Sequence, residues 1–304
     1  MTHSVLITGA NSGLGREAAR QLAVAGAGRV VLACRNRAKG EAAKEELRRQ
    51  TGSSAFELVT MDVSNLESVR EVVRSLAPVD ALIMNAGGLG GGDPGAHTPQ
   101  GATQIFAGNV LGHCVLLDEL VEADKLAEVA LFAGAEAARG IPMLRMDRPI
   151  LQTASIEEFV SIIDGSYFGE RLEPMKAFPY VKLMAALWMG AAARQYPHLR
   201  VVTVSPGGSA GSAMSDVPFA LRVVLRGVVQ PMLKLFGKFH DLETGASRYL
   251  AALRDAEAYQ SGVFYGAPDP GLTGEPIDQS SIYPLLADRA AQDNASAAMH
   301  RFVR

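Results

Sequence analysis

The chain has 304 residues, with 29 lysines and arginines against 32 aspartates and glutamates, and a formal net charge of −3. This length can bury a full hydrophobic core, and the near-neutral, dispersed charge argues against a nucleic-acid-binding surface. The only two cysteines, Cys34 and Cys114, argue against a disulfide scaffold and for a reducing, cytoplasmic environment. We see no signal-peptide pattern and no apolar run that predicts a transmembrane segment.

Short apolar runs alternate with helical patterns along most of the chain. Most runs are continuously apolar, which is typical of strands covered by helices on both faces. The predicted strands are Ser4–Thr8, Arg29–Cys34, Phe56–Met61, Ala81–Met84, Val129–Ala133, Val201–Ser205 and Val263–Tyr265. The predicted helices are Arg16–Ala25, Ala38–Arg49, Leu66–Leu76, Gln104–Glu122 and Tyr180–Arg194. This alternation predicts an α/β fold with a doubly wound parallel sheet, a Rossmann fold, in a single domain over residues 1–304.

Two connections are longer than this alternation needs. Residues 141–177 form a partly acidic insertion before the sixth strand, and residues 208–241 are apolar with interspersed bases. Connections of this length in a compact domain are usually functional. We expect the second to act as a lid over a bulky, largely apolar small molecule. Glycines and a proline interrupt its spaced bases, so a solvated rim is favoured over a membrane-binding face.

The most informative motif joins the first strand to the first helix. The sequence there is Thr8-Gly9-Ala10-Asn11-Ser12-Gly13-Leu14-Gly15. The first glycine permits a tight turn, and the other two let backbone, ligand and helix approach closely. The N–H groups and positive dipole end at the start of the helix suit a pyrophosphate. The candidate cofactor-binding residues of this turn are Gly9, Asn11, Ser12, Gly13, Leu14 and Gly15.

Further candidate cofactor-binding residues follow the next three strands. Arg35 comes directly after the second strand, where an acid would bind a free ribose 2′-hydroxyl and an arginine pairs instead with a 2′-phosphate. The dipeptide formed by Arg35 and Asn36 therefore predicts NADP(H) as the cofactor. Asp62-Val63 follows the third strand and suits the adenine edge. Asn85-Ala86-Gly87 follows the fourth strand, where small residues leave room for a ribose.

Farther along, the chain continues with Asn109-Val110-Leu111-Gly112-His113, Lys182 and Pro206-Gly207. In this order and combination, the motifs resemble the short-chain dehydrogenase/reductase family over almost the whole chain. The segment around Asn109 resembles the branch that contains retinol dehydrogenases and protochlorophyllide reductases. The resemblance implies that Asn109 and Lys182 are catalytic and that His113 is a packed or hydrogen-bonded core residue. It also implies that the nicotinamide half of the cofactor is surrounded by Asn85, Ala86, Gly87, Lys182, Pro206 and Gly207.

The chain departs from this family at two catalytic positions. The family's carbonyl reduction uses a tyrosine four residues before the lysine, because the alkoxide formed by hydride transfer needs a proton, and a serine that steadies the carbonyl oxygen. Here Phe178 stands four residues before Lys182, and Gly134 takes the serine position. Tyr180 could supply the proton only if its helix begins late, since residues two apart on a helix point in nearly opposite directions. Otherwise we interpret Tyr180 as a packing residue.

Three functions remain compatible with the sequence. The first, favoured by the fold, is an NADP(H)-dependent oxidoreductase with a displaced acid, and an activated double bond is then the best acceptor. The second is non-redox chemistry, such as isomerisation, cyclisation or dehydration, and the third is a catalytically silent cofactor-binding protein. The six histidines show no metal-ligand spacing, so no metal site is predicted. The resemblance is compatible with a monomer or a homo-oligomer.

Overall fold

The computed structural model describes residues 3–209 and 239–303 of the chain. Most of the predicted apolar lid, with its bases, lies outside the described residues. The strands are β1 (Ser4–Thr8), β2 (Arg29–Cys34), β3 (Phe56–Thr60), β4 (Val79–Met84), β5 (Leu126–Ala133), β6 (Arg200–Val204), β7 (Phe264–Gly266) and β8 (Ile277–Asp278). The helices are α1 (Gly13–Val24), α2 (Arg37–Thr51), α3 (Leu66–Ser75), α4 (Gln104–Phe106), α5 (Gly112–Glu122), α6 (Ile156–Asp164), α7 (Pro174–Gln195), α8 (Leu242–Arg254) and α9 (Arg289–His300).

The strands form one sheet in the order β3-β2-β1-β4-β5-β6-β7-β8. All neighbours run parallel except β8, which is antiparallel to β7. The chain winds outward from β1 to β3 and then returns to the other side of β1 with β4. This confirms the predicted doubly wound α/β fold, and it places a crevice beyond the carboxyl ends of β1 and β4.

Both faces of the sheet are buried, which explains why the strands are continuously apolar. In β1, Leu6 packs into one core, whereas Val5 and Ile7 pack into the other. The first core includes side chains of α3, α5, α7 and α9, and Phe132 of β5 meets Trp188 of α7 there in an edge-to-face contact at 6.1 Å. The second core includes side chains of α1 and α8.

Several helical boundaries differ from those predicted. The helix expected at Tyr180 begins at Pro174, which occupies the first helical turn, so Pro179 lies inside the helix. The predicted helix Gln104–Glu122 is interrupted by a π-helical turn at Ala107–Leu111. Among the described residues, no helix has the length and apolar character needed to cross a membrane.

Within residues 3–209 and 239–303, three α-helices were not predicted from the sequence: α6, α8 and α9. Each has an oxygen-bearing residue at its N-cap, and Ser155, Asp241 and Asp288 accept backbone N–H groups of the first turn. These caps are the local signal that could have located the helix starts. The insertion over residues 141–177 therefore contains a helix of its own and the first turn of α7.

Candidate functional site

The glycine-rich turn lies at the carboxyl end of β1 and leads directly into α1. Gly9 has a φ of +67°, which favours glycine, and α1 begins at Gly13. A Cβ on Gly15 would lie 2.6 Å from the Gly9 carbonyl oxygen and 2.6 Å from Asn85 Nδ2. The Ser12 side chain makes no capping hydrogen bond. The first N–H groups of α1 therefore face the crevice without a side-chain cap, an arrangement suited to an anion.

Thr8 connects this turn to the end of β4. Its Oγ1 accepts hydrogen bonds from the backbone N–H groups of Asn85 at 2.9 Å and Ala86 at 2.8 Å. Thr8 Oγ1 also lies 2.9 Å from His113 Nε2, and His113 Nδ1 lies 2.9 Å from the Asn109 carbonyl oxygen. Because a carbonyl can only accept, the histidine proton is on Nδ1, and the Thr8 hydroxyl donates to Nε2.

His113 is fully buried in this network, on α5. Burial lowers the pKa of His113 to about 4, so the ring is neutral at physiological pH. Its edge-to-face contact with Phe132, with centroids 5.7 Å apart, holds the ring from the side. The resemblance implied a packed or hydrogen-bonded histidine, and the structure adds its partners: the chain of bonds joins β1, β4 and the π-helical turn.

Asn109 lies on that π-helical turn and is 1% exposed. Its Oδ1 accepts from Gly88 N at 3.1 Å, and its Nδ2 donates to the carbonyl oxygens of Gly88 at 2.8 Å and Ile105 at 2.7 Å. A Cβ on Gly87 would lie 2.5 Å from Asn109 Oδ1. The Asn109 side chain therefore holds the loop after β4 and requires a glycine there.

Lys182 projects from α7 toward the same loop and is 8% exposed. Its Nζ donates to the Ala133 carbonyl oxygen at 3.1 Å, and the centroids of the Phe132 and Phe178 rings lie 5.1 and 5.5 Å away. A Cβ on Gly87 would be 3.8 Å from this Nζ. Burial lowers the pKa of Lys182 to about 8. The structure thus brings Lys182, Asn109 and the end of β4 together.

The two substituted positions lie beside Lys182. The Phe178 ring faces the ammonium group but carries no hydroxyl. A Cβ on Gly134, just beyond β5, would lie 2.6 Å from Phe264 Cε2 and 2.8 Å from Thr203 Cγ2. The Phe264 ring therefore fills the space that a side chain at position 134 would need. A serine would fit there only if that ring moved.

Tyr180 points to the insertion. Tyr180 could act as the acid only if its helix began late. The helix α7 instead begins at Pro174, six residues before Tyr180, so this condition is not met. The Tyr180 hydroxyl accepts from Ile150 N at 3.3 Å and lies 3.4 Å from the Tyr167 hydroxyl. Its ring packs against Tyr167 and Phe168, with centroids 5.1 and 5.6 Å away. These contacts fasten the insertion to α7.

The residues predicted for the adenosine end follow β2 and β3, at the same edge of the sheet. Arg35 is exposed. Asn36 caps α2, because its Oδ1 accepts from Lys39 N at 2.9 Å. Asp62 Oδ1 accepts from the N–H and hydroxyl of Ser64 at 2.9 and 2.7 Å. Asn36 and Asp62 therefore have local structural roles. The backbone of the neighbouring residue Val63 packs directly on Gly112 of α5.

Pro206-Gly207 follows β6 within a polar cluster that the sequence did not predict. Gly207 N donates to Ser205 Oγ at 3.0 Å, and this hydroxyl donates to Glu136 Oε2 at 2.7 Å. Glu136 is buried, and its Oε1 accepts from Ala267 N at 2.9 Å. The cluster fixes the loops after β5, β6 and β7 to one another. A charged residue, Glu136, three positions after the apolar run of β5 is the sequence signal that could have indicated it.

A cleft of about 980 Å³ separates the loop after β4 from the insertion. Residues 91–97 line one side of the cleft, and residues 164–166 and 169–174 line the other. Its walls carry charged residues, among them Asp93, Asp164 and Arg171. Apolar residues such as Pro94 and Leu172 also line the cleft, so its walls are mixed in character.

The short chain dehydrogenase family model matches residues 3–127. Human dehydrogenase/reductase SDR family member 13 is 34% identical over 156 residues, which are 49% of this chain and 40% of that protein. Mouse retinol dehydrogenase 12 is 42% identical over 122 residues, which are 39% of this chain and 38% of that protein. The chain thus spans about two fifths of the length of these curated relatives.

Solved structures extend the fold match along the chain. An uncharacterised protein from Mycobacterium paratuberculosis, at 24% identity, superposes with a TM-score of 0.70 over 99% of this chain and 93% of its own. Salutaridine reductase from Papaver somniferum, at 15% identity, superposes with a TM-score of 0.63 over 87% of this chain and 100% of its own. The chain is thus similar in sequence to the short chain dehydrogenase family over residues 3–127, its matched relatives include retinol dehydrogenases, and the likeness of fold extends along nearly the whole chain.

Proposed function

We propose that the chain is an NADP(H)-dependent oxidoreductase that reduces an activated double bond in a largely apolar small molecule. The observation that carries this proposal is the grouping of Lys182, Asn109 and the end of β4 beside a residue, Phe178, that has no hydroxyl to donate. The residues expected around the cofactor are therefore grouped together, whereas the expected proton donor for an alkoxide is missing. The apolar sequence of residues 208–241 supports the substrate class.

The residues at the carboxyl ends of β1 and β4 fit a nicotinamide dinucleotide. Gly15 has no side chain, and Gly9 and Asn85 pack closely against it, so backbone N–H groups are what this turn presents to a diphosphate. Lys182 adds a buried cation near Gly87. The cofactor supplies a hydride when bound. Burial lowers the pKa of Lys182 to about 8, so its ammonium group is mostly charged at neutral pH. This charge would stabilise negative charge that develops on a substrate oxygen.

The missing hydroxyls favour a conjugated double bond over a simple carbonyl. Hydride addition to the far carbon of an α,β-unsaturated carbonyl spreads the charge over an enolate, which solvent can protonate. Hydride addition to an isolated carbonyl leaves a more basic alkoxide, for which a positioned acid contributes a factor of about 10²–10⁴. Neither Phe178 nor Gly134 can provide that acid.

Arg35→Ala should weaken NADPH binding by about tenfold and leave NADH binding nearly unchanged, because the lost guanidinium would pair only with the 2′-phosphate. Titration followed by nicotinamide fluorescence measures both dissociation constants. Arg37→Ala is the matched control, since Arg37 is also exposed and lies two residues away. Equal affinities of the unmodified protein for the two cofactors would contradict NADP(H) preference, and no binding of either would favour a silent protein.

Phe178→Tyr should raise the reduction of simple aldehydes and ketones by about tenfold or more, because it places a hydroxyl beside Lys182. The unmodified protein should reduce these compounds poorly and conjugated enones better, as measured by NADPH oxidation. Tyr180→Phe is the control and should change neither rate. Rapid carbonyl reduction that disappears in Tyr180→Phe would instead identify Tyr180 as the acid.

A further inference from the structure

Three metal-ligating side chains meet in the outer helical layer. Cys114 and Asp118 lie one turn apart on α5, and His300 ends α9. Cys114 Sγ lies 3.7 Å from Asp118 Oδ2 and 3.9 Å from His300 Nε2, and these last two atoms are 3.0 Å apart. The three donor atoms thus form a small triangle of sulfur, oxygen and nitrogen.

Two hydrogen bonds from outside the triangle orient its members. His300 Nδ1 lies 2.7 Å from the Ser296 carbonyl oxygen, which can only accept, so Nδ1 carries a proton and Nε2 can present a lone pair to a cation. The Tyr196 hydroxyl donates to Asp118 Oδ1 at 2.7 Å, which turns Oδ2 toward Cys114 and His300. Outer partners of this kind fix the imidazole tautomer and the carboxylate orientation in metal sites.

We propose that Cys114, Asp118 and His300 bind a divalent cation of the Zn²⁺ class. Tetrahedral coordination at the usual Zn–S, Zn–N and Zn–O lengths sets the ligand atoms about 3.3–3.6 Å apart, close to the three distances here. One cation can lie about 2.0 Å from the nitrogen and oxygen and about 2.3 Å from the sulfur. The soft thiolate selects zinc over magnesium or calcium.

The burial of the three side chains leaves a path for the cation and a place for a fourth ligand. Cys114 is 0% exposed, whereas the side chains of Asp118 and His300 are 25% and 32% exposed. Solvent can therefore complete the coordination from the outer side. The bound cation would link α5 to the end of α9, which joins parts of the chain 182 residues apart.

Without a cation, an ion pair between Asp118 and a protonated His300 explains the 3.0 Å contact, and the Cys114 thiol donates a long hydrogen bond to Asp118 Oδ2 at 3.7 Å. A cation accounts for all three donors and for their outer hydrogen bonds. The sequence predicted no metal site, because an aspartate one helical turn after a cysteine is common, and nothing local connects either residue to His300.

The test is to add Co²⁺ to the full chain, prepared with no polyhistidine tag and stripped with a chelator. Thiolate coordination of Co²⁺ gives a sulfur-to-metal charge-transfer absorption in the near ultraviolet, which an ion pair or a nonspecific carboxylate site cannot produce. Competition with Zn²⁺ then gives the zinc affinity, and circular dichroism checks the folding of each variant.

The unmodified protein should show the charge-transfer band at one equivalent of Co²⁺, and Zn²⁺ should abolish it. Cys114→Ser should remove the band and weaken Zn²⁺ binding at least tenfold, and Asp118→Asn should weaken it as well. Cys34→Ser, at the other buried cysteine, should leave the band unchanged. A missing band in the folded unmodified protein, or a band that persists in Cys114→Ser, would overturn the site and leave the Asp118–His300 ion pair alone.

Discussion

Lys182→Met should weaken NADPH binding tenfold to hundredfold. In the proposed complex, the Lys182 ammonium group near Gly87 donates a hydrogen bond to the nicotinamide ribose. Losing a hydrogen bond from a charged donor costs about 1.5–3 kcal/mol of binding free energy. Methionine keeps most of the side-chain length and suits the Phe132 and Phe178 rings, so the fold should persist. Fluorescence titration of NADPH into both proteins measures the difference.

The pH dependence provides an independent check of the same residue. Burial lowers the pKa of Lys182 to about 8, so the ammonium is charged below this pH and deprotonates above it. NADPH affinity of the unmodified protein should therefore fall as pH rises through about 8, whereas the Lys182→Met protein should show no such step. Without cofactor, the sign reverses for stability: the unfolded chain binds more protons between about 8 and 10.5, so the free energy of unfolding should rise with pH there.

An unchanged dissociation constant in the folded Lys182→Met protein would mean that the cofactor does not reach this residue. A silent or cofactor-free protein would then be the better interpretation. A pH step that persists in the variant would assign the titration to another group.

The sheet could be predicted because its signal is local. Each of the seven predicted strands is a short apolar run, and the structure has a strand at each one, with β4 and β5 beginning a few residues earlier than expected. The two-residue strand β8 was missed because it is too short for any pattern. The structure of the insertion and the start of α7 were harder to predict. Pro174 and Pro179 both suit the first turn of a helix, and only packing decides between them.

The candidate site divides in the same way. The glycine-rich turn, Asn109 and Lys182 could be assigned from motif order, and the departure at Phe178 from a count of four residues. The contact that closes the space at Gly134 could not, because Phe264 lies 130 residues later in the chain. The hydrogen bonds of Thr8 also depend on tertiary structure, since they join a first strand, a fourth strand and a buried histidine.

Thr8→Val should lower the free energy of unfolding by about 3 kcal/mol or more. Valine has nearly the same shape, but it leaves the Ala86 N–H and the Nε2 of His113 without a partner, whereas the Asn85 N–H keeps the Ile83 carbonyl oxygen at 3.1 Å. Each buried polar group left unsatisfied costs about 1–3 kcal/mol. Urea unfolding followed by circular dichroism measures the loss.

Thr203→Val supplies a matched control in the same sheet. Thr203 is 2% exposed, and its Oγ1 has no hydrogen-bond partner among the described residues, so replacing that oxygen with a methyl group should leave stability unchanged or raise it.

The same two variants separate stability from ligand binding. Because Thr8 holds the turn at Asn85 and Ala86, its variant should also bind NADPH more weakly at temperatures where it remains folded. Equal unfolding free energies for the two valine variants would show that the Thr8 hydroxyl does not stabilise this turn.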